Sequence, residues 1–83
     1  MSPESIRERE PALRRRCHYP GDKRYLLSDG RRHYVGPDTR GVVWTPCHVD
    51  YDAATDRSLV ILRPVSEHEL PPEVLAAAQR ARQ

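Results

Sequence analysis

Apolar residues are sparse along the chain and concentrate in its second half. The densest run, LVIL at residues 59–62, lies within SLVILR and is continuous rather than alternating, the pattern of a strand covered on both faces. The preceding GVVWTPCHVDY, residues 41–51, reads as a partner strand, with DAATD as the turn between the two. Placing Tyr51 opposite Ser58 sets Val49 opposite Val60, His48 opposite Ile61 and Cys47 opposite Leu62. Pro46 interrupts this strand, because proline donates nothing to a ladder and belongs at an edge or a bulge.

Upstream, RYLLSDGRRHYV, residues 24–35, predicts a second hairpin. Asp29-Gly30 between two strand-like runs is the composition of a two-residue type I′ turn, in which both central residues need positive φ. That register pairs Leu27 with Arg32, Leu26 with His33 and Tyr25 with Tyr34. GPDTRG, residues 36–41, follows as a turn.

The two ends predict helices. Residues 2–17 begin with Ser2-Pro3-Glu4, carry Glu4, Glu8 and Glu10 before Arg14, Arg15 and Arg16, and place Ile6, Leu13 and Cys17 on one face. Pro11 kinks or restarts that helix. At the other end, Pro71 or Pro72 opens a helix, Glu73 lies in its first turn, and Arg80 and Arg82 close it. The expected fold is therefore α+β and a single domain over residues 1–83. It comprises an antiparallel meander of three or four strands, a loosely held N-terminal helix over residues 1–16, and a C-terminal helix over 72–82 packed on the sheet.

Composition sharpens this picture in one respect. The 83 residues are 37% hydrophobic, with no Phe, one Trp, four Tyr and eight Pro, so the core must be lean. A protein partner, a second copy of the chain or a metal would each add stability by binding only the folded state. No apolar run approaches the roughly 18 residues a membrane span requires, and the charged N-terminus SPESIRERE lacks the apolar stretch of a secretion signal. The expectation is a cytoplasmic protein without a membrane partner, in which the two cysteines stay reduced.

Charge changes the picture more. The net charge is only +2, yet residues 14–33 hold seven basic side chains against Asp22 and Asp29, a local excess of 7 − 2 = +5. Basic and aromatic residues alternate there in RRRCHY, KRY and RRHY. The candidate contact set is accordingly Arg14, Arg15, Arg16, Tyr19, Lys23, Arg24, Tyr25, Arg31, Arg32 and Tyr34. Such a face suits an acidic protein partner, or single-stranded nucleic acid held by stacking and phosphate contacts.

Two matched Cys-His pairs supply the candidate metal ligands Cys17, His18, Cys47 and His48, with His33 as a fifth. Zinc takes four such ligands, but adjacent residues on a strand point to opposite faces, which works against shared ligation. A thiol nucleophile, Cys47 activated by His18 or His33, would also need an enclosed pocket, for which few apolar residues are available. Asp50, Asp52 and Asp56 fit turn chemistry better than a calcium loop. The expectation is a non-catalytic accessory or interaction module without a cofactor, binding a protein partner through a basic, tyrosine-bearing hairpin face. A single-strand-binding protein and a small zinc-stabilised domain are the alternatives.

Overall fold

The computed structural model describes residues 13–83. Three strands, β1 (Arg15–Pro20), β2 (Trp44–Asp52) and β3 (Arg57–Pro64), form one antiparallel sheet in the order β1-β3-β2. Between β1 and β2 lies a single helical turn, α1 (Tyr25–Ser28). After β3 come a 3₁₀ turn, Glu67–Glu69, and the helix α2 (Pro72–Ala81). The architecture is α+β, and no described helix is long and apolar enough to cross a membrane.

The β2–β3 hairpin forms in the register its alternation implies, with Tyr51 opposite Ser58, Val49 opposite Val60 and His48 opposite Ile61. The register shifts between Pro46 and His48, so Pro46 rather than Cys47 pairs with Leu62. Pro46 cannot supply an amide hydrogen, and the extra residue of a bulge, Cys47, absorbs the interruption. Ser58, Val60 and Leu62 are fully buried, whereas Leu59 and Ile61 on the opposite face are only half-buried. The sheet thus has one closed and one open face, where continuous hydrophobicity implied two closed ones.

Two expected elements differ, one only at its end. The N-terminal helix over residues 1–16 lies mostly outside the described residues, but from Arg15 onward the chain is a strand. Arg15, Cys17 and Tyr19 pair with Leu62, Val60 and Ser58 on the closed face, while Arg16, His18 and Pro20 take the open one. Period-two placement against the apolar centre of β3 outweighs a helical stripe of three residues. This strand also turns the expected meander into a crossover, since β1 and β2 flank β3 on opposite sides.

The expected hairpin over residues 24–35 does not form. Asp29 has φ −83° where a type I′ turn needs a positive value, and only Gly30 is left-handed, at φ +80°. One carboxylate just before the segment and one in its expected turn capture the backbone first. Asp22 accepts the Arg24 amide at 3.0 Å, and Asp29 accepts the Arg31 amide at 3.0 Å. Such local turns compete with a ladder. Val35 instead pairs with Trp44, beside β2.

The core is Trp44, Val60 and Leu62, with Cys17, Tyr19, Leu26, Val35, Val42 and Val49 packed around it. α2 starts with Pro71 and Pro72 and an acidic first turn, as its composition implies. Its buried residue, Ala78, meets the 36–43 connection. There Gly41, at φ +80°, comes so close that a Cβ on it would lie 2.7 Å from the Ala78 carbonyl oxygen. The helix is therefore seated on this glycine.

Candidate functional site: a tyrosine-lined pocket

The crossover segment, residues 21–43, runs over the closed face of the sheet, and two buried hydroxyls hold it there. Ser58 Oγ, fully buried in mid-sheet, donates to the Gly21 carbonyl at 2.8 Å and accepts the Lys23 amide at 3.0 Å. Thr45 Oγ1, 2% exposed, donates to the His33 carbonyl at 2.6 Å. They are the two buried polar residues described, and both are satisfied. Leu26 packs on the core between these tethers and Val35 just beyond the second. The first half of the segment is thus pinned at residues 21–23 and at His33.

Between this pinned stretch and the sheet is a pocket of about 320 Å³. Its floor is Val60, Leu62, Leu26, Val35 and Pro46, and its rim is Tyr19, Tyr25, Tyr34, Lys23 and His33. An apolar floor with a few polar groups at the mouth is the usual make-up of a ligand pocket, and the volume lies at the lower end of the usual range. Each tyrosine brings an apolar ring and a hydroxyl that can bond at the edge.

The rim is held by local interactions. His33 Nε2 sits 2.7 Å from Asp29 Oδ2, and its ring meets Tyr25 edge-on with centroids 6.3 Å apart. The amide of Arg31, with His33 beside it, holds the Asp29 carboxyl below the usual carboxylate range. The Lys23 ammonium lies over the Tyr25 ring at 5.8 Å from its centre. Burial, with Cys17 beside it, pushes the Tyr19 hydroxyl above its ordinary pKa.

The ten candidate contact residues do not form one surface. Tyr19, Lys23, Tyr25 and Tyr34 meet in the pocket. Arg24 stacks on Tyr51 with its guanidinium 5.1 Å from the ring centre, and its Nε donates to Asp22 Oδ1 at 2.9 Å. That pairing lowers the Asp22 pKa to about 2. Arg15 lies over Trp44 at 4.5 Å and 3.7 Å from Asp38, while Arg32 is 3.9 Å from Glu69. Arg14 lines a separate groove, Arg16 is on the open face opposite Ile61, and Arg31 is exposed.

The candidate metal ligands are likewise dispersed. Cys17 is on the closed face; His18 and His48 are on the open face with β3 between them, and His33 is on the crossover. Cys47 sits at the bulge with its thiol directed to the Ile61 carbonyl at 3.4 Å. Both cysteines are free. Among the described residues, no three His, Cys, Asp or Glu side chains stand together as a group that could hold one ion.

From the sequence His33 is a candidate metal ligand or activator of Cys47 rather than part of a contact face, and the floor residues are not singled out as a site. Pro46, Val60 and Leu62 of the floor come from strands distant in sequence, so no local pattern announces it. The resulting class is a small α+β protein with a three-stranded sheet, an overlying crossover and one tyrosine-rimmed pocket. No protein-family model, no curated protein and no solved structure matches the chain.

Proposed function

We propose that the protein is a small non-catalytic interaction module whose tyrosine pocket receives an apolar side chain of a protein partner. One observation carries the reading: three tyrosines, a lysine and a histidine from the end of β1 and the crossover surround a single apolar floor. Buried anchor pockets rimmed by amphipathic aromatics are where interface energy concentrates. Lys23 at the rim, with Arg31 exposed on the same crossover, favours a carboxylate flanking the anchor. Two free cysteines accord with a reducing compartment, and the reading places the protein in the cytoplasm.

Single-stranded nucleic acid is the second reading, supported by Lys23 beside three tyrosines. It is the weaker one, because several of the ring faces and cations it would use are already engaged. Tyr25 is capped by Lys23 and Tyr51 by Arg24, and Arg15, Arg24 and Arg32 each face a carboxylate. A base would have to displace these contacts before stacking. Selection of binders from a random peptide library separates the readings. Enriched peptides sharing an apolar or aromatic anchor, whose affinity falls about tenfold or more in Tyr25→Ala and Tyr34→Ala, support the protein-partner reading. Failure to enrich any pocket-dependent peptide would overturn it, most of all if an oligonucleotide bound with steep salt dependence. The zinc reading has its own check in elemental analysis of protein purified without chelator, where stoichiometric zinc would revive it.

A further inference from the structure

A second concavity, of about 690 Å³, lies between the end of β3, the 36–43 connection and the C-terminal helix. It shares no lining residue with the tyrosine pocket. Four arginines from four separate parts of the chain line it: Arg14 before β1, Arg40 on the connection, Arg63 near the end of β3 and Arg82 after α2. Among the described residues Glu67 is the one acidic side chain in the lining, which leaves a balance there of 4 − 1 = +3. The floor between the guanidiniums is apolar, with Leu13, Val42, Val65 and Leu70 among its residues.

We infer that this groove binds an extended acidic peptide segment of a partner, with carboxylates on the arginines and an apolar side chain on the floor. The chain already displays the pairing chemistry. Arg82 Nη1 lies 2.5 Å from Glu67 Oε1, and Arg63 Nη1 lies 3.8 Å from Glu69 Oε2. A guanidinium can donate to a carboxylate through two parallel N–H groups, a geometry a lysine lacks. The lining also decides between polyanions. Among the described residues no aromatic side chain borders the groove, so a nucleic acid strand would find phosphate contacts there but no face on which to stack its bases. A peptide alternating acidic and apolar residues finds both of the surfaces it needs.

Arg82 and Gly41 are unsuitable for a first test because they seat the C-terminal helix. Arg40 and Arg63 are better. The probe is a fluorescein-labelled peptide of alternating glutamate and leucine, titrated against the full chain by fluorescence anisotropy at low and moderate salt. Arg40→Gln combined with Arg63→Gln should weaken binding about tenfold or more. Arg16→Gln with Arg57→Gln, the same charge change on the open sheet face, should leave binding within about twofold. Tyr25→Ala should also leave it unchanged, which separates this groove from the tyrosine pocket. Equal loss in the two arginine pairs would mean that only net charge matters, and would overturn the inference. Binding of the matching glutamine-leucine peptide as tightly as the glutamate one would also overturn it. So would a single-stranded oligonucleotide that outcompetes the peptide through Arg40 and Arg63.

Discussion

Replacing Ser58 by alanine tests whether a buried hydroxyl holds the pocket together. Its Oγ is fully buried at the centre of the sheet and makes two hydrogen bonds, at 2.8 Å to the Gly21 carbonyl and 3.0 Å from the Lys23 amide. Alanine removes both and leaves two backbone groups searching for partners. A buried group stranded in this way costs about 1–3 kcal/mol. Because the Lys23 amide is only partly buried and water can replace its partner in part, about 2 kcal/mol is the expected loss for the pair. For a domain of this size that corresponds to a fall in Tm of about 8–16 °C. Trp44, the sole tryptophan and a core residue at 7% exposure, reports unfolding directly by fluorescence. Urea denaturation of Ser58→Ala should show a lower midpoint with an unchanged slope. Thr45→Val, which keeps the shape but strands only the His33 carbonyl, should lose roughly half as much. If Ser58→Ala stayed within about 0.5 kcal/mol of the parent, the crossover would not depend on this tether and the reasoning would fail.

Three further outcomes follow from the packing and the charges. Leu62→Ala should cost about 2–5 kcal/mol, enough to leave the native state barely populated in a lean domain, and equilibrium urea melts would register it. Gly41→Ala forces a Cβ against the Ala78 carbonyl at a left-handed position. It should destabilise by more than about 1 kcal/mol, with faster amide exchange across α2 as the sign that the helix has lost its seat. Acid should weaken the fold. Asp22, lowered to about 2 mainly by its bond from the Arg24 side chain, and Asp29 and Asp38, lowered chiefly by the amides of Arg31 and Val42, hold fewer protons folded than unfolded. Their contribution is complete above the unfolded value near 4 and drains away as pH falls towards 2, so urea midpoints should decline over that range. Tyr51 works in the opposite sense. Its hydroxyl donates to Asp56 at 2.7 Å, which raises its pKa, so its contribution is present below pH about 10 and lost above it.

The β2–β3 hairpin was legible from sequence because both of its signals are local: alternating side chains and a short polar turn. Even the Pro46 interruption announced its bulge. The C-terminal helix was legible for the same reason, with proline, acid and base in the order a helix requires. β1 was not, because acidic residues followed by arginines mimic a helix dipole, whereas Cys17 and Tyr19 become strand residues only when Val60 and Ser58 face them from forty residues away. The Asp29-Gly30 turn misled in a related way. Its hairpin reading took the glycine at face value and overlooked carboxylates able to bond the backbone nearby. The candidate site was half legible. Tyrosine and lysine stood out by type, but they appeared as an exposed face. Only the crossover, pinned through Ser58 and Thr45, gathers them around an apolar floor that includes Val60 and Leu62.

Amide chemical-shift mapping tests the central claim most directly. Nitrogen-15-labelled protein is titrated with a peptide selected as a binder, and each perturbed amide is placed on the fold. The account predicts that shifts concentrate at Tyr19, Lys23, Leu26 and residues 33–35, and disappear in Tyr34→Ala while the remaining spectrum stays folded. Shifts centred on His18, His48 and Leu59, across the open face of the sheet, would contradict it.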